Sequence, residues 1–254
     1  MKDWKPSKHV KGVLIFCPAF GEMMNTRTAR SIYNLGQFLT FKGIPNSFFT
    51  MSAGDIEEIR NLALTEWYDK HPALSHILMV DADMEFPADG EKNLVADMLA
   101  FGKPLTGCFY AKRKFPAQAV GRAFNEGSNA DVIDGFLKVA GVGGGVLLVS
   151  RHVVQTMIQK MPEIVDNDVS GHTGSQVLNQ LRLIRAFEKY RDPSGTKLSE
   201  DFAFCDRWLR CGGEVWANVE HLIGHIGPHN FAIRYADMFD NKERDAAEAA
   251  KVAA

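Results

Sequence analysis

The chain is 254 residues long and 46% hydrophobic, enough to bury a full core and better matched to one large α/β domain than to two small ones. Its 29 Lys and Arg against 31 Asp and Glu give a formal net charge of −2, which excludes the global positive field of a general nucleic-acid binder and leaves only a local basic patch open. The longest apolar runs, such as Val146 to Val149, fall far short of the roughly 20 residues a membrane span needs, and the opening MKDWKPSKHVKG has no apolar h-region, so a cytoplasmic location is expected.

In chain order, apolar β-type runs alternate with helical periodicity through the first half, the pattern of a largely parallel sheet with helices on its faces. A strand is expected over 12–17, stopped by Pro18, and a helix from 25 or 26 to 41 with Ile32, Leu35 and Leu39 on one face. A second strand follows over 44–50. The next helix, 55–70, repeats Ile56, Ile59, Ala63 and Trp67 at helical spacing, with Ser52 as a candidate start. A short buried strand, 77–80, then runs straight into Asp81-Ala82-Asp83.

The second half is less regular. A helix is expected near 90–101, a strand over 105–110, a polar stretch over 125–134 and a strand over 145–150. Helices then fit 151–160, 175–189 and 200–210, followed by a strand over 214–219. The Ala-, Lys- and Glu-rich tail, 241–254, is assigned no chemistry. Cys17, Cys108, Cys205 and Cys211 show no CxxC or zinc-ribbon spacing and are expected to be reduced and partly buried.

Asp81 and Asp83 stand just beyond the carboxyl end of a buried strand, where open α/β sheets bind their ligands. Two carboxylates there call for a cation, and Mg²⁺ or Mn²⁺ bridging a pyrophosphate meets that need; a solvated loop or helix cap is the plainer reading. Glu200 and Asp201 open a helix whose apolar face is Phe202, Cys205 and Leu209. Acidic residues there complement the helix dipole, or one of them acts as a general base on an acceptor hydroxyl. His221, His225 and His229 recur every four residues, but Gly224, Gly227 and Pro228 argue against the helix that would bring them together as a zinc array. Softer candidates are Arg27, Arg30 and Arg60 for a diphosphate, the glycine run 141–145 for close backbone approach, and the basic-aromatic cluster Tyr110, Lys112, Arg113, Lys114 and Phe115.

With CPAFGE at the end of the first strand, IEEIRNLAL, ILMVDADMEFP, and the late SEDFAFCDRW, GGEVW and HIG segments in this order, the chain resembles the GT-A glycosyltransferases, specifically the small family-2-like enzymes of bacteria and their viruses. The resemblance runs from about Gly12 to Gly227. It implies a single Rossmann-like domain with a mixed, mainly parallel sheet: a nucleotide-sugar-binding half over about 12–110, an acceptor half over about 111–230 and a tail over 231–254. By the same resemblance Pro18, Ala19 and Glu22 lie near the nucleotide base and ribose, and Arg60 near the donor. Asp81 sits near the ribose or a metal-bound water, Asp83 ligates the metal directly, and His225 is the late metal- and diphosphate-contacting histidine. Gly143, Gly144 and Gly145 line the donor sugar. Of the acidic pair Glu200 and Asp201, the second is the favoured base of an inverting displacement. The implied cofactor is Mn²⁺ or Mg²⁺ and the implied donor a UDP-sugar. The acceptor stays open among a glycan, a lipid-linked sugar, a small metabolite, a protein and a hydroxylated base in DNA. A nucleotidyltransferase, a zinc hydrolase and a non-catalytic nucleotide-sugar-binding module remain as alternatives.

Overall fold

The computed structural model describes residues 4–52, 54–90, 92–116, 118–124 and 132–238. Its centre is a mixed sheet built from β1 (Val13–Pro18), β2 (Asn46–Met51), β3 (His76–Val80), β5 (Leu105–Cys108), β6 (Phe136–Gly141), β7 (Val146–Ser150) and β8 (Val215–Asn218). From one edge to the other the order is β6-β8-β5-β7-β3-β1-β2, with the short strands Arg122–Ala123 and Val132–Ile133 paired to β6. β1 runs parallel to β2 and β3, and β8 parallel to β5; β7 is antiparallel to β3 and β5, and β6 antiparallel to β8. Five of these seven strands therefore share one direction, as the sequence pattern indicates.

Side chains alternate across each strand, so the central strands feed two cores. Leu14 and Phe16 of β1, Ile77 and Met79 of β3, and Leu147 and Val149 of β7 face α2 (Ile56–Lys70), α4 (Arg151–Lys160) and α5 (Glu200–Arg210). Val13, Ile15 and Cys17, Leu78 and Val80, and Val146 and Leu148 face α1 (Thr26–Phe41) and α3 (Leu94–Phe101). This two-sided burial is why the strands read as continuous apolar runs instead of alternating ones. All four cysteines are free and buried.

A small second sheet crosses the carboxyl end of the large one. β9 (Ile223–Ile226) pairs with β10 (Asn230–Ile233) on one side and with β4 (Met84–Glu85) on the other, in a register that sets His225 opposite Met84. The late histidine is thereby carried to the Asp81-Ala82-Asp83 turn.

Several elements differ from the sequence expectation. The helix expected over 175–189 is only Thr173–Val177; Asn179 then takes a left-handed φ of 50°, and Leu183–Ile184 pairs with Val165–Asp166. The segment gives up helical bonding to lie along α2: Gln180 Nε2 donates to the Leu62 carbonyl, and the amides of Ile184 and Phe187 donate to Thr65 Oγ1 and Asn61 Oδ1. β6 was not expected, although its signal is present. Asp134 and Gly135, with φ of 51° and 80°, form the two-residue turn between Val132–Ile133 and β6, the Asp-Gly hairpin signature. α2 is capped by Asp55, which accepts from the Glu57 amide, and not by Ser52. Positions 125–131 of the polar stretch and the tail 241–254 lie outside the described residues. No helix among the described residues is long and apolar enough to cross a membrane.

Candidate active site

β3 ends at Val80, and the chain turns sharply: the Asp81 amide donates to the Gly145 carbonyl and the Met84 amide to the Asp81 carbonyl. The Asp83 carbonyl accepts from the Ile226 amide, and the Ala82 carbonyl from the Asn25 amide. With its backbone so fixed, the turn aims its two carboxylates at different partners.

Asp81 meets Arg60. The guanidinium is 2% exposed, donates from Nη2 to Asp81 Oδ1 at 2.8 Å and from Nη1 to Glu200 Oε1 at 3.0 Å, and lies over the Phe187 ring. Burial disfavours its charge, but the carboxylates of Asp81, Asp201 and Glu200 outweigh that and push its pKa up. Its Nε is buried without a hydrogen-bond partner among the described residues. Burial also lifts the Asp81 carboxyl above its ordinary value, even with Arg60 pulling the other way.

Asp201, 9% exposed, accepts from the Gly144 amide on Oδ2 at 3.0 Å, and on Oδ1 from the Phe202 amide at 3.0 Å and from the Ser199 hydroxyl. Glu200 and Asp201 therefore sit together at the start of α5, one tied to Arg60 and the other to the glycine run. That run is packed tightly. A Cβ on Gly143 would fall 2.2 Å from the Tyr110 hydroxyl, one on Gly144 2.4 Å from Arg60 Cζ, and one on Gly145 2.9 Å from the Tyr110 ring. The three glycines are buried, and their immediate neighbours are Arg60 and Tyr110.

Asp83 meets His225. His225 Nδ1 lies 2.8 Å from the Ala111 carbonyl, which can only accept, so Nδ1 carries a proton; Nε2 faces Asp83 Oδ2, 3.4 Å away. The Tyr110 ring packs edge-on against the imidazole. Arg113 Nη1 also donates to Asp83 Oδ2, at 2.9 Å. Burial works against the Asp83 charge, but hydrogen bonding and charge from a His225 ring protonated on both nitrogens, with Arg113 behind, hold its carboxyl below the usual carboxylate range. With Nδ1 donating to a backbone carbonyl, as in metal-ligating histidines, a neutral ring turns the Nε2 lone pair to the Asp83 carboxylate, and the two together fit a divalent ion. Asp81, expected near the ribose or a metal-bound water, is paired with Arg60. Among the described residues no group of three His, Cys, Asp or Glu side chains is placed to hold a metal ion.

Pro18 and Ala19 are buried at the end of β1, with the Ala19 amide bonded to the Met51 carbonyl. The turn after them places Glu22 in solvent with φ 59° and leaves Phe20 and Met23 73% and 71% exposed. Arg27 and Arg30 both pair with Glu85. His221 pairs with Asp97, and His229 lies beside Phe115 and Phe231, so the three histidines do not converge. Tyr110 and Arg113 belong in the sequence to a basic-aromatic cluster; their contacts to His225 and Asp83 come with the β4–β9 pairing, which no local pattern announces.

No family model matches the chain, and no curated protein matches it. Solved structures of glycosyltransferases are among those to which the fold is similar. A197 from STIV aligns over 89% of this chain and 91% of its own at 12% identity and a TM-score of 0.49. GalNAc-T7, in a structure with UDP, GalNAc and Mn²⁺, aligns over 86% of this chain and 43% of its own at 11% identity and a TM-score of 0.48. A glycosyltransferase involved in the glycosylation of the major capsid of PBCV-1 aligns over 59% of this chain and 69% of its own at 10% identity and a TM-score of 0.33. At such identities the likeness concerns shape alone, and the functional reading rests on this chain's own side chains.

Proposed function

We propose that the chain is a metal-dependent glycosyltransferase of GT-A architecture, which moves a sugar from a nucleoside-diphosphate sugar, a UDP-sugar first among them, to an acceptor hydroxyl with inversion. One observation carries this reading. At the carboxyl ends of β1 and β3, the Asp83–His225 pair and the Arg60-bridged carboxylates Asp81 and Glu200 stand around one turn, with Asp201 held against the adjoining glycine run.

Asp83 and His225 would hold Mn²⁺ or Mg²⁺, which when bound neutralises charge on the departing diphosphate. The chain's own groups do the remaining work. Asp201 has about four lone-pair sites and spends three on Gly144, Phe202 and Ser199, leaving one to take the proton of an acceptor hydroxyl. Arg60 and Glu200 fix the orientation of Asp81 at the donor side. The glycines at 143–145 let Arg60 and Tyr110 close on the loop beneath the sugar. The exposed Phe20 and Met23, beside Pro18, Ala19 and Glu22, offer apolar surface to a nucleotide base.

The test is release of nucleoside diphosphate from a panel of nucleotide sugars with Mn²⁺. Asp201→Asn should lower kcat by roughly 10²–10⁴ while donor affinity stays within about twofold; unchanged turnover removes the base assignment. Pyrophosphate released from a nucleoside triphosphate would identify a nucleotidyltransferase instead. Donor binding without transfer or hydrolysis would mark a binding module.

A further inference from the structure

Asp83 Oδ2 has two claimants. Arg113 Nη1 donates to it at 2.9 Å, and His225 Nε2 faces the same oxygen at 3.4 Å. A divalent ion seated between that oxygen and that nitrogen would stand next to the guanidinium, and the two positive charges repel at such range. Arg113 is half exposed, at 50%, so the guanidinium can swing away without unburying its stem. Its backbone has less freedom. The Lys112 amide is bonded to the Gln118 carbonyl, and Phe115 packs on Phe231 of β10, whose sheet also carries His225. Gly227 gives the stem its path, because a Cβ there would come within 3.1 Å of Arg113 Cδ. The side chain is thus a tethered cation that stays at the mouth of the site after it lets go of Asp83, with Lys112 and Lys114 on either side.

We propose that Arg113 and the divalent ion compete for Asp83, and that the displaced guanidinium is handed to the diphosphate of the donor. Metal alone must break the Arg113–Asp83 pair with nothing to replace it. Metal with a diphosphate breaks the same pair but gives Arg113 a bidentate anionic partner. The two ligands therefore favour each other's binding, reciprocally, and Arg113 is the positioning residue that couples them. This rests on Asp83 being a metal ligand, and the experiment separates the two claims.

Mn²⁺ is titrated into the full chain without nucleotide and followed by the loss of the free-ion paramagnetic resonance signal; UDP is then titrated calorimetrically at saturating Mn²⁺. An ion pair this exposed is weak, so Arg113→Gln should bind Mn²⁺ alone about three- to fivefold more tightly and UDP several-fold more weakly, with Arg113→Lys between it and the parent. The Arg113 variants should lose no more than about 2–4 °C of Tm, because the side chain is half exposed and its ion pair weak. If Asp83→Asn abolishes Mn²⁺ binding while Arg113→Gln leaves it unchanged or weaker, Asp83 is a ligand and the competition is refuted. If Asp83→Asn binds Mn²⁺ like the parent, or the parent takes up no Mn²⁺ with or without UDP, the metal reading itself fails and the handover fails with it. The Mn²⁺ titration decides the competition even if UDP is not the preferred nucleotide.

Discussion

Asp81 and Asp83 are two residues apart and titrate in opposite senses. Burial raises the Asp81 carboxyl above its value in the unfolded chain, so its contribution to stability is present at low pH and is lost as pH rises through the folded value. Asp81→Asn also takes from the buried Arg60 guanidinium its 2.8 Å partner, so the variant should be less stable than the parent at pH 7, and the deficit should not shrink in acid. Asp83 is held below the ordinary range, so its contribution is present above the unfolded carboxylate value and is lost as pH falls through the lower folded one. Asp83→Asn should therefore destabilise at pH 7. Urea midpoints against pH for the two variants check both signs, and parallel curves would refute the assignment. Arg60→Met is expected to be harsher, at about 3–5 kcal/mol, because it strands Asp81 and Glu200 around an apolar side chain. The sequence made these acids visible as DxD and an ED pair. It gave no sign that Arg60 would bind both, since helical periodicity marks apolar faces and is silent on a cation buried under a distant segment.

At the level of elements, strands with two buried faces and amphipathic helices were legible because their apolar spacing is local. β1, β3 and β7 are short runs packed on both sides, and α1 repeats Ile32, Leu35 and Leu39 toward one core. The stretch after α4 was not legible, because its hydrogen bonds go to α2 and not to itself. With that coverage added to the sheet-facing side, eight residues of α2 are buried, Arg60 and Asn61 among them, where a lone amphipathic helix would leave one side wet. The glycine run was seen, but its tight fit was not, since the partners Arg60 and Tyr110 are remote in sequence. Gly144→Ala drives a Cβ to 2.4 Å from Arg60 Cζ and should cost about 1–3 kcal/mol, whereas Gly54→Ala, with nothing within 4 Å, should be near neutral. Chemical denaturation of the pair tests this; equal midpoints would contradict the packing described.

At the scale of the whole molecule, the site draws on α2, the β3 turn, the glycine run, the start of α5 and β9, brought to one end of the sheet by the parallel β2-β1-β3 order and by the small sheet folded over it. In the proposed reading that convergence makes the site a single unit, its donor, metal and base sides each depending on another part of the chain. The most direct test is the thermal stability of the parent and of Asp83→Ala with a panel of nucleoside diphosphates, each with and without Mn²⁺. A ligand at 100 times its Kd adds about 2.7 kcal/mol, which for a domain of this size is a rise of about 5–10 °C. Such a rise is expected for one nucleotide, only with Mn²⁺ and only in the parent. No rise with any nucleotide, or a rise that Asp83→Ala keeps in full, would contradict that reading.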